Sequence, residues 1–92
     1  LIKPQFEAGR EFVGKKGVVR DPVIHGAVIR QITDFAIETG FVPVALTFSP
    51  VKGPEGNIEY LIRLSKDAGQ ECTVNEARIL TVVAEAHGTL DK

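Results

Sequence analysis

Asp21 followed by Pro22 fixes the start of the longest periodic segment in this chain and constrains what can lie on either side of it. An aspartate before a first-turn proline is a helix N-cap. Its carboxylate accepts from an early helical N–H, and the proline lacks the N–H that would be left without a partner there. Ile24, Ala27, Val28, Ile32, Phe35 and Ala36 then recur at helical spacing until Gly40, which predicts an amphipathic helix ending just before that glycine. Phe41 to Phe48 follows directly and puts Val42, Val44, Leu46 and Phe48 on one face of a strand. Pro43 has no N–H for a ladder, so it marks the strand's start or a sheet edge. The run SPVKGPEGN, dense in proline and glycine, is a loop. Beyond it, Ile58, Tyr60, Ile62 and Leu64 alternate with Glu59, Leu61 and Arg63, a third strand joined to the second as a long-looped hairpin. Thr73 and Glu76 have capping-box spacing, and a last helix is expected from Val74 to His87, stopped by Gly88.

Leu1 to Lys3 reads as one further, very short strand cut off by Pro4. The order is then strand, helix, strand, strand, helix, an α/β arrangement. A strand, crossover helix and second strand make a parallel unit, and the hairpin returns the third strand antiparallel. A chain that opens on so short a strand, without an initiator methionine, is expected to be a piece of a longer protein whose earlier strands complete the sheet.

Ninety-two residues, 43% hydrophobic and 25% charged, allow one soluble unit with a modest core and no second full domain. No apolar run approaches the roughly 18 residues that cross a bilayer, and no signal peptide is recognisable. A single cysteine, two histidines and no CxxC leave neither an internal disulfide nor a zinc framework. That composition suits a reducing cytoplasm, with Cys72 structural and His25 and His87 at the helix surface. Residues 1 to 20 hold five basic groups against two acidic ones, a net charge of +3 in a chain of net −1. Arg10, Lys15, Lys16 and Arg20, with Phe6 and Phe12 nearby, suit contacts to nucleic-acid phosphates. A solvated loop with the two rings packed inward is the commoner reading of such a cluster.

Chemistry in open α/β sheets gathers at the carboxyl ends of the parallel strands, and Lys3 stands at such an end. An antiparallel neighbour brings its amino end to the same edge. Glu59, near the amino end of the third strand, therefore converges with Lys3 if that strand lies beside the first. The bland alternative is a solvated lysine and a strand glutamate paired with Arg63 or a cross-strand partner. Gln5, Glu7 and Arg10 lie just past Lys3, where a substrate would pass, and Gly53, Pro54, Glu55, Gly56 and Asn57 shape the loop before Glu59.

LIKPQFEAGR, the loop containing GKKGVVRDP, and GPEGNIEYLI, in that order over Leu1 to Leu64, resemble the C-terminal half of the methyltransferase domain of the TlyA family. These are hemolysin-like, FtsJ-related rRNA 2′-O-methyltransferases. The resemblance implies that residues 1–92 are the C-terminal portion of one Rossmann-like domain. Its upstream half would bind S-adenosylmethionine, and an S4 RNA-binding domain would precede it. It also implies a Lys-Asp-Lys-Glu tetrad of which Lys3 and Glu59 are two members, the others lying upstream. The implied partner is ribosomal RNA or a ribosomal subunit. A ribose 2′-hydroxyl is a poor nucleophile until its proton is withdrawn or its oxygen oriented. A lysine amine held by a carboxylate suits that task. A catalytically silent RNA-binding paralogue, a hemolysin-like membrane-active protein and a stand-alone interaction module are the rival readings.

Overall fold

The computed structural model describes residues 1–14 and 17–91; Lys15, Lys16 and Lys92 lie outside the described residues. Its elements are a short helix α1 (Pro4–Glu7), a long helix α2 (Pro22–Glu38), strands β1 (Val42–Phe48) and β2 (Tyr60–Ser65), and a helix α3 (Glu76–Leu90). The Asp21 carboxylate accepts from the Val23 N–H at 2.9 Å, as the sequence predicts for its cap. Gly40 leaves α2 at φ 97°, a conformation that favours glycine.

β1 and β2 pair antiparallel, Phe48 opposite Tyr60 and Leu46 opposite Ile62. On the far side of β2, Ile2 bridges Tyr60. Ile2 N–H donates to the Tyr60 carbonyl at 2.6 Å and Tyr60 N–H to the Ile2 carbonyl at 2.9 Å. The third strand is therefore inserted between the other two, antiparallel to both, and the opening segment runs parallel to β1. The expected first strand amounts to this one bridge, because Pro4 starts α1 immediately after Lys3. At Pro43 the ladder skips a residue, so Pro43 and Leu46 turn to the core and Val44 is only half-buried. The missing proline N–H makes that slip inexpensive.

Helices α2 and α3 lie together on the sheet face that carries Ile2, Leu46, Ile58 and Tyr60, burying Val28, Ile29, Ile79, Val82, Val83 and Ala86 between them. The buried stripe of α2 differs from the expected one. Ala27 and Phe35 face solvent, while His25, Ile29, Thr33 and Ala36 face the core. The shift is possible because both polar members are satisfied: the Thr33 hydroxyl donates to the Ile29 carbonyl at 2.8 Å, and both ring nitrogens of His25 have partners.

The expectations for the last helix need correcting at both ends. Asn75, not Thr73, is the N-cap, accepting from the Arg78 N–H at 2.8 Å. Thr73 instead covers the outer edge of β1, its N–H on the Pro43 carbonyl and its hydroxyl on the Val44 carbonyl. Glu76 reaches across to α2 and pairs with Arg30. Gly88 does not stop α3, which continues to Leu90. Leu90 packs against the core, and Asp91 pairs with Lys52 at 2.7 Å, which offsets the roughly 0.5–1 kcal/mol that an interior glycine costs. Among the described residues no helix is long and apolar enough to cross a membrane.

Candidate functional site

The Ile2–Tyr60 bridge sets the register that matters. Extending it by one residue places Lys3 opposite Glu59 in a non-hydrogen-bonded pair, where antiparallel backbones approach to about 4.5 Å. Ile58 and Tyr60 both belong to the core, so Glu59 between them faces away from the helical layer. Lys3 lies on that same side of its own segment. The convergence expected from strand direction is thus present in the backbone.

The side chains add detail that strand direction does not carry. Glu59 is buried, at 7% exposure, and its Oε2 accepts from Gln5 Nε2 at 2.9 Å. Gly53 packs directly on the carboxyl group: a Cβ there would overlap its carbon and both oxygens. Glu59 is therefore caged between the α1 turn and the loop before β2. Lys3 is half-buried and carries its Nζ 5.6 Å from the Phe6 ring centroid. No ion pair joins Lys3 and Glu59 directly; the Gln5 amide is the group that touches the carboxylate.

Asn57, two residues before Glu59, holds the loop in place. Its Oδ1 accepts from Val19 N–H at 3.1 Å, and its Nδ2 donates to the carbonyls of Gly17 at 2.8 Å and Pro54 at 2.9 Å. One buried amide so ties the end of the basic segment to the turn that presents Glu59. Of the basic residues singled out in the sequence, Arg10 and Arg20 are exposed, and Lys15 and Lys16 lie outside the described residues. Phe6 and Phe12 are also exposed, at 72% and 48%, and do not pack inward. Arg20 faces the end of α3, where the Asp91 carboxyl is held below its usual range by Lys52 and, more weakly, by His87 and Arg20.

His25 is a correction: the sequence places it at the surface, and it is 1% exposed. Its Nε2 lies 2.7 Å from the Val19 carbonyl and its Nδ1 2.8 Å from the Tyr60 hydroxyl. A carbonyl only accepts, so Nε2 carries the proton and Nδ1 accepts from the tyrosine. His87, half-buried rather than at the surface, stands with its ring centroid 4.7 Å away. The signal was available, since His25 is spaced three, four and eleven residues from Val28, Ile29 and Ala36 on one helix face. Tyr60, fully buried, anchors this network directly beneath the bridge to Ile2.

Burial lowers the His25 pKa, against the opposing pull of the Val19 carbonyl, and nearby His87 lowers it further. The folded value then lies below the unfolded value of about 6.5. Above that pH both states are neutral and the stability contribution is complete; as pH falls below it, the unfolded state takes up the proton first and stability declines. The decline from this one group is expected to reach at most about 1.4 kcal/mol per pH unit. Urea unfolding at pH 7.5, 6.5 and 5.5 checks it. His25→Gln should flatten the acid slope, and an unchanged slope would assign it to other groups.

Cys72 is exposed. Among the described residues no three His, Cys, Asp or Glu side chains converge to hold a metal ion.

Comparison with known proteins places this geometry. The FtsJ-like methyltransferase family matches residues 1–66, the span that holds the opening bridge, α2 and the hairpin. The chain belongs to the FtsJ-like methyltransferase family. It is 49% identical over 94 aligned residues to the candidate rRNA methyltransferase YqxC of Bacillus subtilis, covering 98% of this chain and 33% of that protein. It is 42% identical over 64 residues to the 16S/23S rRNA (cytidine-2′-O)-methyltransferase TlyA of Mycobacterium tuberculosis, covering 70% of this chain and 24% of that one. A solved structure described as a candidate hemolysin of Streptococcus thermophilus superposes with a TM-score of 0.87 at 45% identity, over 97% of this chain and 32% of its own. The chain thus spans about a third or less of the length of these relatives.

Proposed function

We propose that this chain is the C-terminal part of a Rossmann-like, S-adenosylmethionine-dependent methyltransferase that modifies ribose 2′-hydroxyls of ribosomal RNA in the cytoplasm. Lys3 and Glu59 are its proton-handling pair. The observation that carries the reading is the Ile2–Tyr60 bridge, which sets a lysine at a strand's carboxyl end opposite a caged carboxylate. The names of the TlyA and YqxC relatives supply the rRNA substrate class. The cofactor-binding half and an S4-type RNA-binding domain would belong to the longer protein.

The described residues do not themselves fit the cofactor. α2 opens on Asp21 and Pro22, an acidic cap without the glycine-rich turn that cradles a nucleotide. Bound by the rest of the protein, S-adenosylmethionine supplies an activated methyl group. This chain's task is then to orient the nucleophile and receive its proton. The Lys3 amine, in its neutral form, would direct the hydroxyl oxygen and receive its proton. Glu59, fixed by Gln5 and Gly53, sets the local field in which the amine works. Exposed Arg10 and Arg20, with Lys15 and Lys16 between them in sequence, would contact RNA phosphates.

The full-length protein, incubated with ribosomal subunits and S-adenosylmethionine, should generate 2′-O-methylated nucleosides detectable by mass spectrometry of digested rRNA. Methylation confined to the bases would overturn the reading, as would the absence of any rRNA product on both subunits.

A further inference from the structure

The geometry points to Gln5 as a positioning residue that couples Lys3 to Glu59: its Nε2 fixes the carboxylate, and its Oε1 is the acceptor for the Lys3 amine in the working site. This inference rests on the reading of Lys3 and Glu59 as the proton-handling pair.

The orientation of the amide follows from chemistry. A carboxylate offers only acceptors, so the amide edge 2.9 Å from Glu59 Oε2 has to be the nitrogen, and the oxygen necessarily faces the other way. That oxygen, Gln5 Oε1, is buried and has no hydrogen-bond partner among the described residues. A buried acceptor without a donor is uncommon and costly enough to call for an explanation. Gln5 is held in this position by its backbone. Lys3 caps α1, the Phe6 N–H donates to the Lys3 carbonyl at 2.9 Å, and the turn so formed carries Gln5 back beside the strand end it has just left.

Two residues from Gln5, Lys3 is a donor without an acceptor among the described residues: its Nζ rests 5.6 Å from the centroid of the exposed Phe6 ring. Such a contact is weak, about 0.5–1 kcal/mol at an exposed site. A lysine side chain has enough torsional freedom to exchange it for a hydrogen bond to a buried amide oxygen. A continuous chain, amine to amide to carboxylate, would then join two residues that no ion pair joins directly. Gly53 packs against the same carboxyl group and, with Gln5, holds it in place.

The test uses the full-length enzyme with rRNA substrate. Gln5→Met keeps the length of the side chain and removes both the donor and the acceptor. It is expected to lower the single-turnover rate about 100-fold, the cost of a misplaced catalytic group. The KM for RNA and the affinity for S-adenosylmethionine should stay near wild type, and the melting temperature should fall only by what one lost hydrogen bond costs. A purely structural glutamine would move the melting temperature and leave the rate unchanged, and one that binds RNA would move KM. Combining Gln5→Met with Glu59→Gln should give a loss no greater than the larger single loss, because the two act as a unit. Multiplying losses would overturn the coupling, as would a wild-type rate for Gln5→Met in an enzyme that Lys3→Ala inactivates. A wild-type rate for Lys3→Ala would instead overturn the underlying reading, whatever Gln5→Met does.

Discussion

Lys3→Ala in the full-length enzyme is expected to lower single-turnover methylation of rRNA by about 100- to 10,000-fold, the usual cost of losing a positioned acid–base group. The fold should hardly notice. Lys3 is half-buried, and its side-chain nitrogen lies near the exposed Phe6 ring, a contact worth about 0.5–1 kcal/mol. The Ile2–Tyr60 bridge that holds the segment in the sheet is made by backbone atoms, and alanine leaves it intact. Lys3→Arg should fail nearly as badly, because a guanidinium stays protonated at any usable pH and cannot take the proton. Rates measured at saturating S-adenosylmethionine and saturating RNA separate this loss from one of binding. Wild-type rates in the alanine variant would reduce Lys3 to a solvated strand end.

The parts of this molecule legible in its sequence are those fixed by neighbours along the chain. The start of α2 follows from Asp21 and Pro22, and its end from Gly40, since caps act within one turn. The convergence of Lys3 and Glu59 is legible for a different reason: strand direction alone decides which ends meet, so two residues far apart can be paired without knowing any side-chain contact.

Where a side chain finds its partner far along the chain, the sequence misleads. Thr73 has the right spacing to cap α3, yet the open carbonyls of Pro43 and Val44 on β1 compete for it and win, leaving the cap to Asn75. Gly88 reads as a helix stop only until Leu90 and the Lys52–Asp91 pair are seen to hold the extra turn. His25 looks polar and hence superficial. Its burial depends on a tyrosine 35 residues away and a carbonyl six residues back. The Gln5–Glu59 hydrogen bond spans 54 residues. It requires the α1 turn to fold Gln5 back on the strand, which no periodicity announces.

Gly53 is the second position at which a small change should have a large effect. Its backbone lies at φ −78°, so alanine meets no conformational strain there. What alanine does meet is the Glu59 carboxyl group, which its Cβ would overlap. Glu59 has to rotate away, giving up its hydrogen bond from Gln5 and leaving a preferred rotamer, together about 1–3 kcal/mol. The catalytic cost should be greater, about 100-fold in single-turnover rate, because a displaced carboxylate no longer gives Gln5, and through it the Lys3 amine, a fixed partner. Gly56, three residues on, is the control. It adopts φ 86° with no side chain crowding its position, so Gly56→Ala costs about 1–2 kcal/mol of backbone strain without displacing Glu59. Both variants should therefore lose stability by similar amounts in urea unfolding, while only Gly53→Ala loses methyl transfer. Equal activity in the two would mean that the cage around Glu59 serves the fold alone, and that the orientation of its carboxylate is not part of the proposed handling of the ribose hydroxyl.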